Sequence, residues 1–281
     1  MSDKIIDGKL ISSEIREKVK KFGSQLKNKT GKVPGLAVVL VGENPASRVY
    51  VKNKIEKTVE VGFNSIEHKL SEKVSENELI DLVDKLNNDK NVQGILVQLP
   101  LPEHVDSDKI LDRIKPEKDV DGFHANNVGK LWSGLDTLVP CTPLGCSIIL
   151  KKISKDLSGK HAVIIGRSNL NGKPMAQLLL KEHCTVTIVH SKTKDLKQEC
   201  LKADILVAAV GVAKLVKKDW VKENSIVIDV GINKAGDKIV GDVDFDTVKE
   251  KTKAITPVPG GVGPMTIACL LKNTLDCFKA R

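Results

Sequence analysis

Tyr50 and Lys54 stand four residues apart in the stretch Tyr-Val-Lys-Asn-Lys, and on a helix they share one face. The apolar run 36–41 and the loop 42–47 precede them, so the order reads strand, loop, helix. Ser47 is expected to cap that helix, with Val49, Ile55 and Val59 facing inward and the end near Gly62. Lys54 then lies close to the helix N-terminus. There the positive end of the helix dipole and the charges of Arg48 and Lys52 favour the neutral amine, the form that accepts a proton. The alternative is a solvated lysine face, common in a chain this rich in lysine.

Other residues fit a site of the same kind. Gln98 ends the run Ile95-Leu-Val-Gln and puts an amide at the carboxyl end of a strand, where open α/β sheets bind ligands. Asp121, in Lys118-Asp-Val-Asp-Gly-Phe, offers a carboxylate suited to a nitrogen heterocycle with two adjacent donors. A strand-end hydrogen bond for Gln98 and a simple turn for Asp121 remain open alternatives.

Further along, Gly166-Arg-Ser-Asn-Leu-Asn-Gly172-Lys-Pro174 sits between a strand and a helix. Gly166 permits a tight turn, Gly172 a close helix–sheet contact, and Pro174 suits the first helical turn. Free N–H groups at such a helix start hold a pyrophosphate. The middle glycine of the usual dinucleotide fingerprint is replaced near Ser168, so a purely structural turn also fits. After the next strand, where NAD sites carry an acid for the ribose hydroxyls, stands His190-Ser-Lys-Thr-Lys. Hydroxyls and cations there suit a ribose phosphate, which points to NADP, with Arg167 as a second cation.

The elements that must position these groups alternate. An amphipathic helix over 10–27 leads into strands at 36–41, 65–70 and 94–99, with helices at 48–61, 76–87 and 107–114. Helix 144–152 bridges to strands at 161–165, 185–189, 205–209, 226–230 and near 254–256, with a helix at 173–182 and a last one at 264–278. The rhythm implies parallel sheets: two α/β domains joined by helices, with a ligand cleft between them, the second domain Rossmann-like. Before the last helix, Thr256-Pro-Val-Pro-Gly-Gly-Val-Gly-Pro is stiffened by prolines and bared by glycines, so its backbone can lie against a flat ligand. A rigid linker is the plainer reading.

Composition narrows the classes. The chain has 281 residues, 41% hydrophobic and 29% charged, enough for a core and against wholesale disorder. Aromatics are only 3%, so the core must be aliphatic. The net charge of +9 is spread over the whole chain, with no nucleic-acid motif, and suits a polyanionic small ligand. The six cysteines form no CxxC pair and read as free thiols of a reducing cytosol; the six histidines show no ligand spacing, and no metal site is expected. No N-terminal signal and no membrane-length apolar stretch are present, so a cytoplasmic chain is expected.

The segments 45–54, 94–102, 118–124 and 140–143, with Gly166-Arg-Ser-Asn, Asp229-Val-Gly-Ile-Asn and 257–266, together resemble one family. It is the bifunctional methylenetetrahydrofolate dehydrogenase/methenyltetrahydrofolate cyclohydrolase family, and the resemblance covers nearly the whole chain in order. Asn171, where the family usually has an aliphatic residue, and Ala125, where proline is common, are departures away from the catalytic positions. The resemblance implies oxidation of 5,10-methylenetetrahydrofolate with NADP, then hydrolysis to 10-formyltetrahydrofolate. It makes Lys54 the general acid/base, Gln98 its orienting partner, Tyr50 a stacking surface for the aminobenzoyl ring, and Asp121 the pterin anchor. Gly166, Arg167 and Ser168 would meet phosphate and ribose, Ser191 the ribose phosphate, and Ile232 the cofactor. Domains are expected at 1–139 plus the C-terminal helix 265–281, binding folate, and at 140–264, binding NADP. Tetrahydrofolate derivatives, including polyglutamylated ones, are the expected ligands, and a homodimer the expected assembly. Two rivals stand beside this reading: a dehydrogenase of another small substrate, and a non-catalytic basic protein that binds RNA.

Overall fold

The structure, a computed structural model, describes residues 4–280. The chain divides into two compact units. One comprises Glu14–Cys141 and the C-terminal stretch from Ile267; the other comprises Thr142–Thr266 and the N-terminal stretch up to Ser13.

In the first unit the elements run α1 (Gly8–Thr30, whose first turns belong to the other unit), β1 (Gly35–Val41), α2 (Pro45–Glu60), β2 (Asn64–Leu70), α3 (Glu76–Asn88), β3 (Gly94–Val97), α4 (Ser107–Arg113) and α5 (Ala125–Trp132). The sheet is parallel, in the order β2-β1-β3. All seven residues of β1 are buried, as befits a central parallel strand covered on both faces. β2 is the half-exposed edge. The core joins Val39, Ile95 and Val97 to Val83 of α3 and Ile110 of α4, all aliphatic. Ser75 closes the start of α3 with a capping box: its Oγ accepts from the Glu78 backbone N–H, and the Glu78 carboxylate accepts from the Ser75 backbone N–H.

α2 departs from the expectation in two ways. It begins at Pro45, and Asn44 is its cap, the Asn44 Oδ1 accepting from the Ser47 N–H at 3.1 Å. Ser47 is instead buried within the first turn. The inward face consists of Ser47, Val51, Lys54 and Thr58, while Val49 and Val59 are each 61% exposed. An apolar side chain is not obliged to face inward on a helix that presents a polar group to the interior.

The second unit continues with α6 (Cys141–Ile153), β4 (His161–Ile165), α7 (Gly172–Lys181), β5 (Thr185–Val189), α8 (Leu196–Leu201), β6 (Ile205–Ala208), β7 (Ile226–Asp229), β8 (Asn233–Ala235), β9 (Lys238–Val240), α9 (Phe245–Val248) and β10 (Ala254–Ile255). α10 (Val262–Lys279) then carries the chain back to the first unit. The five-stranded sheet is parallel, in the order β10-β7-β6-β4-β5, and β8 and β9 form a separate antiparallel hairpin. Its core is again aliphatic, around Val163, Leu206 and Val227. The expected boundary placed the N-terminal stretch with the first domain, but Ile5 bridges Ile255 and the Ile6 N–H donates to the Ile255 carbonyl at 2.9 Å, tying it to β10. Among the described residues no helix is long and apolar enough to cross a membrane.

Candidate active site

In the first unit Lys54 lies on the buried face of α2 and is only 8% exposed. Its Nζ donates to Gln98 Oε1 at 2.9 Å. Gln98 directly follows β3; its backbone N–H donates to the Val39 carbonyl at 2.9 Å, and its Nε2 donates to the Leu99 carbonyl at 2.7 Å. With the amide nitrogen committed to Leu99, the amide oxygen must face the lysine. One turn before Lys54, Tyr50 is 38% exposed, and partial burial pushes its hydroxyl above the ordinary tyrosine range.

Lys54 is the tenth residue of α2, beyond the first turn where a dipole acts, so the expected electrostatic activation by the helix start does not apply. Arg48 and Lys52 do not supply it either: both are exposed and face carboxylates, Arg48 with Glu43 at 2.7 Å and Lys52 with Glu56 at 3.9 Å. What surrounds the amine is the Gln98 amide and the Asp121 carboxyl.

Asp121 sits in a loop knotted by polar side chains. Burial pushes its carboxyl above the usual aspartate range; the Lys54 charge opposes this and the Asp119 charge adds to it, while the Cys141 thiol donates to the Val120 carbonyl at 3.2 Å. Asp119, 1% exposed, receives the N–H groups of Gly122 (3.1 Å) and His124 (2.8 Å) and the Asn127 Nδ2 (3.0 Å). From α10, Asn273 Nδ2 donates to the carbonyls of Val120 (2.9 Å) and Val139 (3.0 Å). Sequence reasoning missed Asp119, Asn127, Cys141 and Asn273. The available signal was the pair of aspartates around Val120, of which one orders the loop and the other is presented by it.

In the second unit the expected cofactor residues gather at one edge. All five strands of the sheet are parallel, so the residues that follow them share the carboxyl edge. Gly166, after β4, has φ +121°, and a Cβ there would stand 2.4 Å from the Ala209 carbonyl oxygen. A Cβ on Gly172 would stand 2.1 Å from the Gly166 oxygen, so α7 starts against the turn as a phosphate cradle requires. Arg167 and Ser168 are exposed on the turn, and the Ser168 Oγ accepts from the Asn171 N–H at 3.1 Å. After β5, the Thr193 Oγ1 accepts from the His190 N–H at 2.9 Å; the turn leaves Ser191 and Lys192 exposed. Ile232, after β7, is 50% exposed. This cradle of glycines, hydroxyls and cations fits a phosphorylated dinucleotide. The loop 256–264 uses at least part of its glycine for packing: a Cβ on Gly8 would stand 1.8 Å from the Gly261 oxygen, and one on Gly261 would stand 2.5 Å from the Pro257 oxygen.

Asp229, at the end of β7, is 2% exposed, and burial pushes its carboxyl up to about 6 against the hydrogen bonds from Val243, Asp242 and Gly231. A raised carboxyl favours folding below its unfolded pKa of 3.8, and that contribution is lost as the pH rises through about 6. The wild type should therefore lose about 3 kcal/mol relative to Asp229→Asn between pH 4 and pH 7. Urea unfolding of both proteins across that range checks this; a constant difference would refute it.

A family model for the tetrahydrofolate dehydrogenase/cyclohydrolase catalytic domain matches residues 6–121, and one for the NAD(P)-binding domain of the same enzymes matches residues 140–281. A bifunctional protein FolD of Pelagibacter ubique is 60% identical over 275 residues, covering 98% of each chain. A crystal structure of the bifunctional FolD dehydrogenase/cyclohydrolase from Campylobacter jejuni superposes with TM-score 0.97 at 52% identity, over 99% of each chain. That of the Trypanosoma brucei enzyme, complexed with NADP and an inhibitor, gives TM-score 0.94 at 37% identity over 98% of this chain and 97% of that one. With both halves matched in order and relatives this similar along their whole length, the chain belongs to the tetrahydrofolate dehydrogenase/cyclohydrolase family.

Proposed function

We propose that the chain oxidises 5,10-methylenetetrahydrofolate to the 5,10-methenyl form with NADP and then hydrolyses that product to 10-formyltetrahydrofolate. The observation that carries this reading is the buried hydrogen bond from Lys54 to Gln98, beside Asp121, within a chain whose relatives are named as bifunctional. NADP, when bound, accepts the hydride that leaves the methylene carbon. Asp121 pairs with adjacent donors of the pterin, and Tyr50 stacks on the aminobenzoyl ring, so the one-carbon bridge is held in place rather than activated by force. In the hydrolytic step water adds to the methenyl carbon, the bond from that carbon to N5 breaks, and N5 takes a proton. Lys54 moves the protons, and Gln98 keeps its amine aimed.

On the cofactor side, Gly166, Arg167 and Ser168 take the pyrophosphate and ribose, Ser191 with Lys192 takes the ribose phosphate, and Ile232 lies against the cofactor. Purified protein given methylenetetrahydrofolate and NADP should show methenyl absorbance that rises and then decays. With NAD the rate should fall about tenfold or more, because cations and hydroxyls placed for a phosphate are left unpaired. A preference for NAD would refute the reading of Ser191 and Lys192; no methenyl formation would refute the dehydrogenase.

The chain acts as a homodimer in this reading. β2 is an open, half-exposed edge, and on it Ser65 Oγ and His68 Nε2 are buried without a hydrogen-bond partner; the neighbouring α2 exposes Val49 and Val59. A second copy would cover the open edge and the two valines. Sedimentation at the mass of one chain would refute it. The six buried free thiols suit a cytoplasmic enzyme, and the net charge of +9 suits folates with anionic polyglutamate tails; neither nucleic acid nor membrane has a role in this proposal.

A further inference from the structure

Asp242 lies between β9 and α9, is wholly buried, and spends its carboxylate on parts of the cofactor edge that are distant in sequence. Its Oδ2 accepts from the backbone N–H groups of Val210 (2.7 Å) and Gly211 (3.0 Å), in the segment after β6. Its Oδ1 accepts from Asn233 Nδ2 at 2.9 Å, in the segment after β7. Its own N–H donates to Asp229 Oδ1 at 2.9 Å, which also receives the Gly231 N–H at 3.0 Å. The fit leaves no slack. A Cβ on Gly231 would stand 2.2 Å from Asp242 Oδ1, and one on Gly241 would stand 1.8 Å from Asp229 Oδ2. Burying two carboxylates this close together is a poor way to stabilise a fold, since apolar residues of similar size would serve better. It is an effective way to set a distance, because each oxygen accepts only along defined directions.

We infer that Asp242 is a positioning residue for the dehydrogenase step, its carboxylate fixing the segments 210–211 and 231–233 relative to each other at the edge that receives NADP. This rests on the NADP reading above. Wholly buried, Asp242 acts through the segments it holds rather than by reaching the cofactor. The polarity of the clasp is fixed on one side. Toward 210–211 the backbone N–H groups can only donate, so that side must keep an acceptor, whereas the Asn233 amide can turn to offer its oxygen.

Asp242→Asn, which keeps the shape, tests this. The KM for NADP should rise about tenfold, the effect expected when the charge-assisted contacts to Val210 and Gly211 become neutral ones. Hydrolysis of methenyltetrahydrofolate supplied directly should stay within about twofold, since that step draws on none of these contacts. Adding Asn233→Asp returns a carboxylate to the clasp, opposite the new amide, so the double variant should recover most of the NADP affinity. A merely structural role predicts the contrary: both activities falling together with the folded fraction, and no recovery in the double variant. Either of those results overturns the inference, as does an unchanged KM for NADP in Asp242→Asn. Insolubility of both variants also overturns it, because Asp242 would then hold the fold rather than the edge. Failure of the underlying reading shows separately, as a wild type that does not use NADP.

Discussion

Lys54→Ala should lower the hydrolysis of methenyltetrahydrofolate about 10²- to 10⁴-fold, the range associated with losing a positioned general acid/base. The KM for NADP should stay near wild type, because every residue proposed for the cofactor lies on another sheet. The signature is kinetic as well as quantitative. With methylenetetrahydrofolate and NADP, the variant should accumulate the methenyl product that the wild type consumes. The side chain is 8% exposed and its Nζ has a defined acceptor, so the expected loss is of an oriented amine and not of a freely moving one. Removing the acceptor is therefore a second arm: Gln98→Ala leaves the amine in place but unaimed, and should give a loss smaller than that of Lys54→Ala. Hydrolysis at the parent rate in Lys54→Ala would remove the amine from the mechanism. Truncation also leaves a cavity on the inner face of α2, so a thermal melt belongs with the assay; a lower melting temperature alone does not halt one step and spare the other.

How much of this was legible beforehand depended on the kind of signal. β1 was readable because a parallel strand covered on both faces must be apolar throughout, and the run 36–41 is. The turn at Gly166 was readable because its glycines answer to backbone geometry, and that geometry is local. α2 was misread for a physical reason: its apolar residues were assumed to mark the inward face, whereas Val49 and Val59 point out and Ser47 and Lys54 point in. Pro45 was the overlooked clue to its start, since proline favours the first helical position and Asn44 before it can cap. The environment of Lys54 also differs from the one its sequence neighbours suggest. The supposed source of activation, the helix start, lies nine residues away, and the groups that do face the amine arrive from β3 and from the loop at Asp121. Least visible were the buried carboxylates. Asp119 and Asp242 look like ordinary loop residues in the sequence and Asp229 like a strand end, and their meaning lies in N–H groups that fold back onto them. Asn273 reaches Val120 across 153 positions, which no local pattern announces.

Asp121→Asn should lower kcat/KM about 10²- to 10³-fold for both steps, the cost of setting an amide donor against one of two donors that the carboxylate accepted together. Both steps suffer because both hold the same pterin, and this separates the variant from Lys54→Ala, in which the hydrolysis bears the loss. The pH dependence carries the finer test. Pairing with two donors needs the ionised carboxyl, so activity rises with pH as Asp121 loses its proton. Burial moves that transition above the usual aspartate range; the Lys54 charge opposes the move and the Asp119 charge adds to it. The wild-type profile of kcat/KM for the folate should therefore show an acid limb displaced upward from the ordinary carboxyl region. Asp121→Asn, having nothing to ionise there, should lose that limb, and Lys54→Ala, which removes the opposing charge, should shift it to higher pH still in the dehydrogenase step. An acid limb that survives unchanged in Asp121→Asn would assign it to another group and leave Asp121 without its role as anchor. The KM for NADP should be indifferent to all of these changes, because Asp121 lies in the first unit and the residues proposed for the cofactor lie in the second.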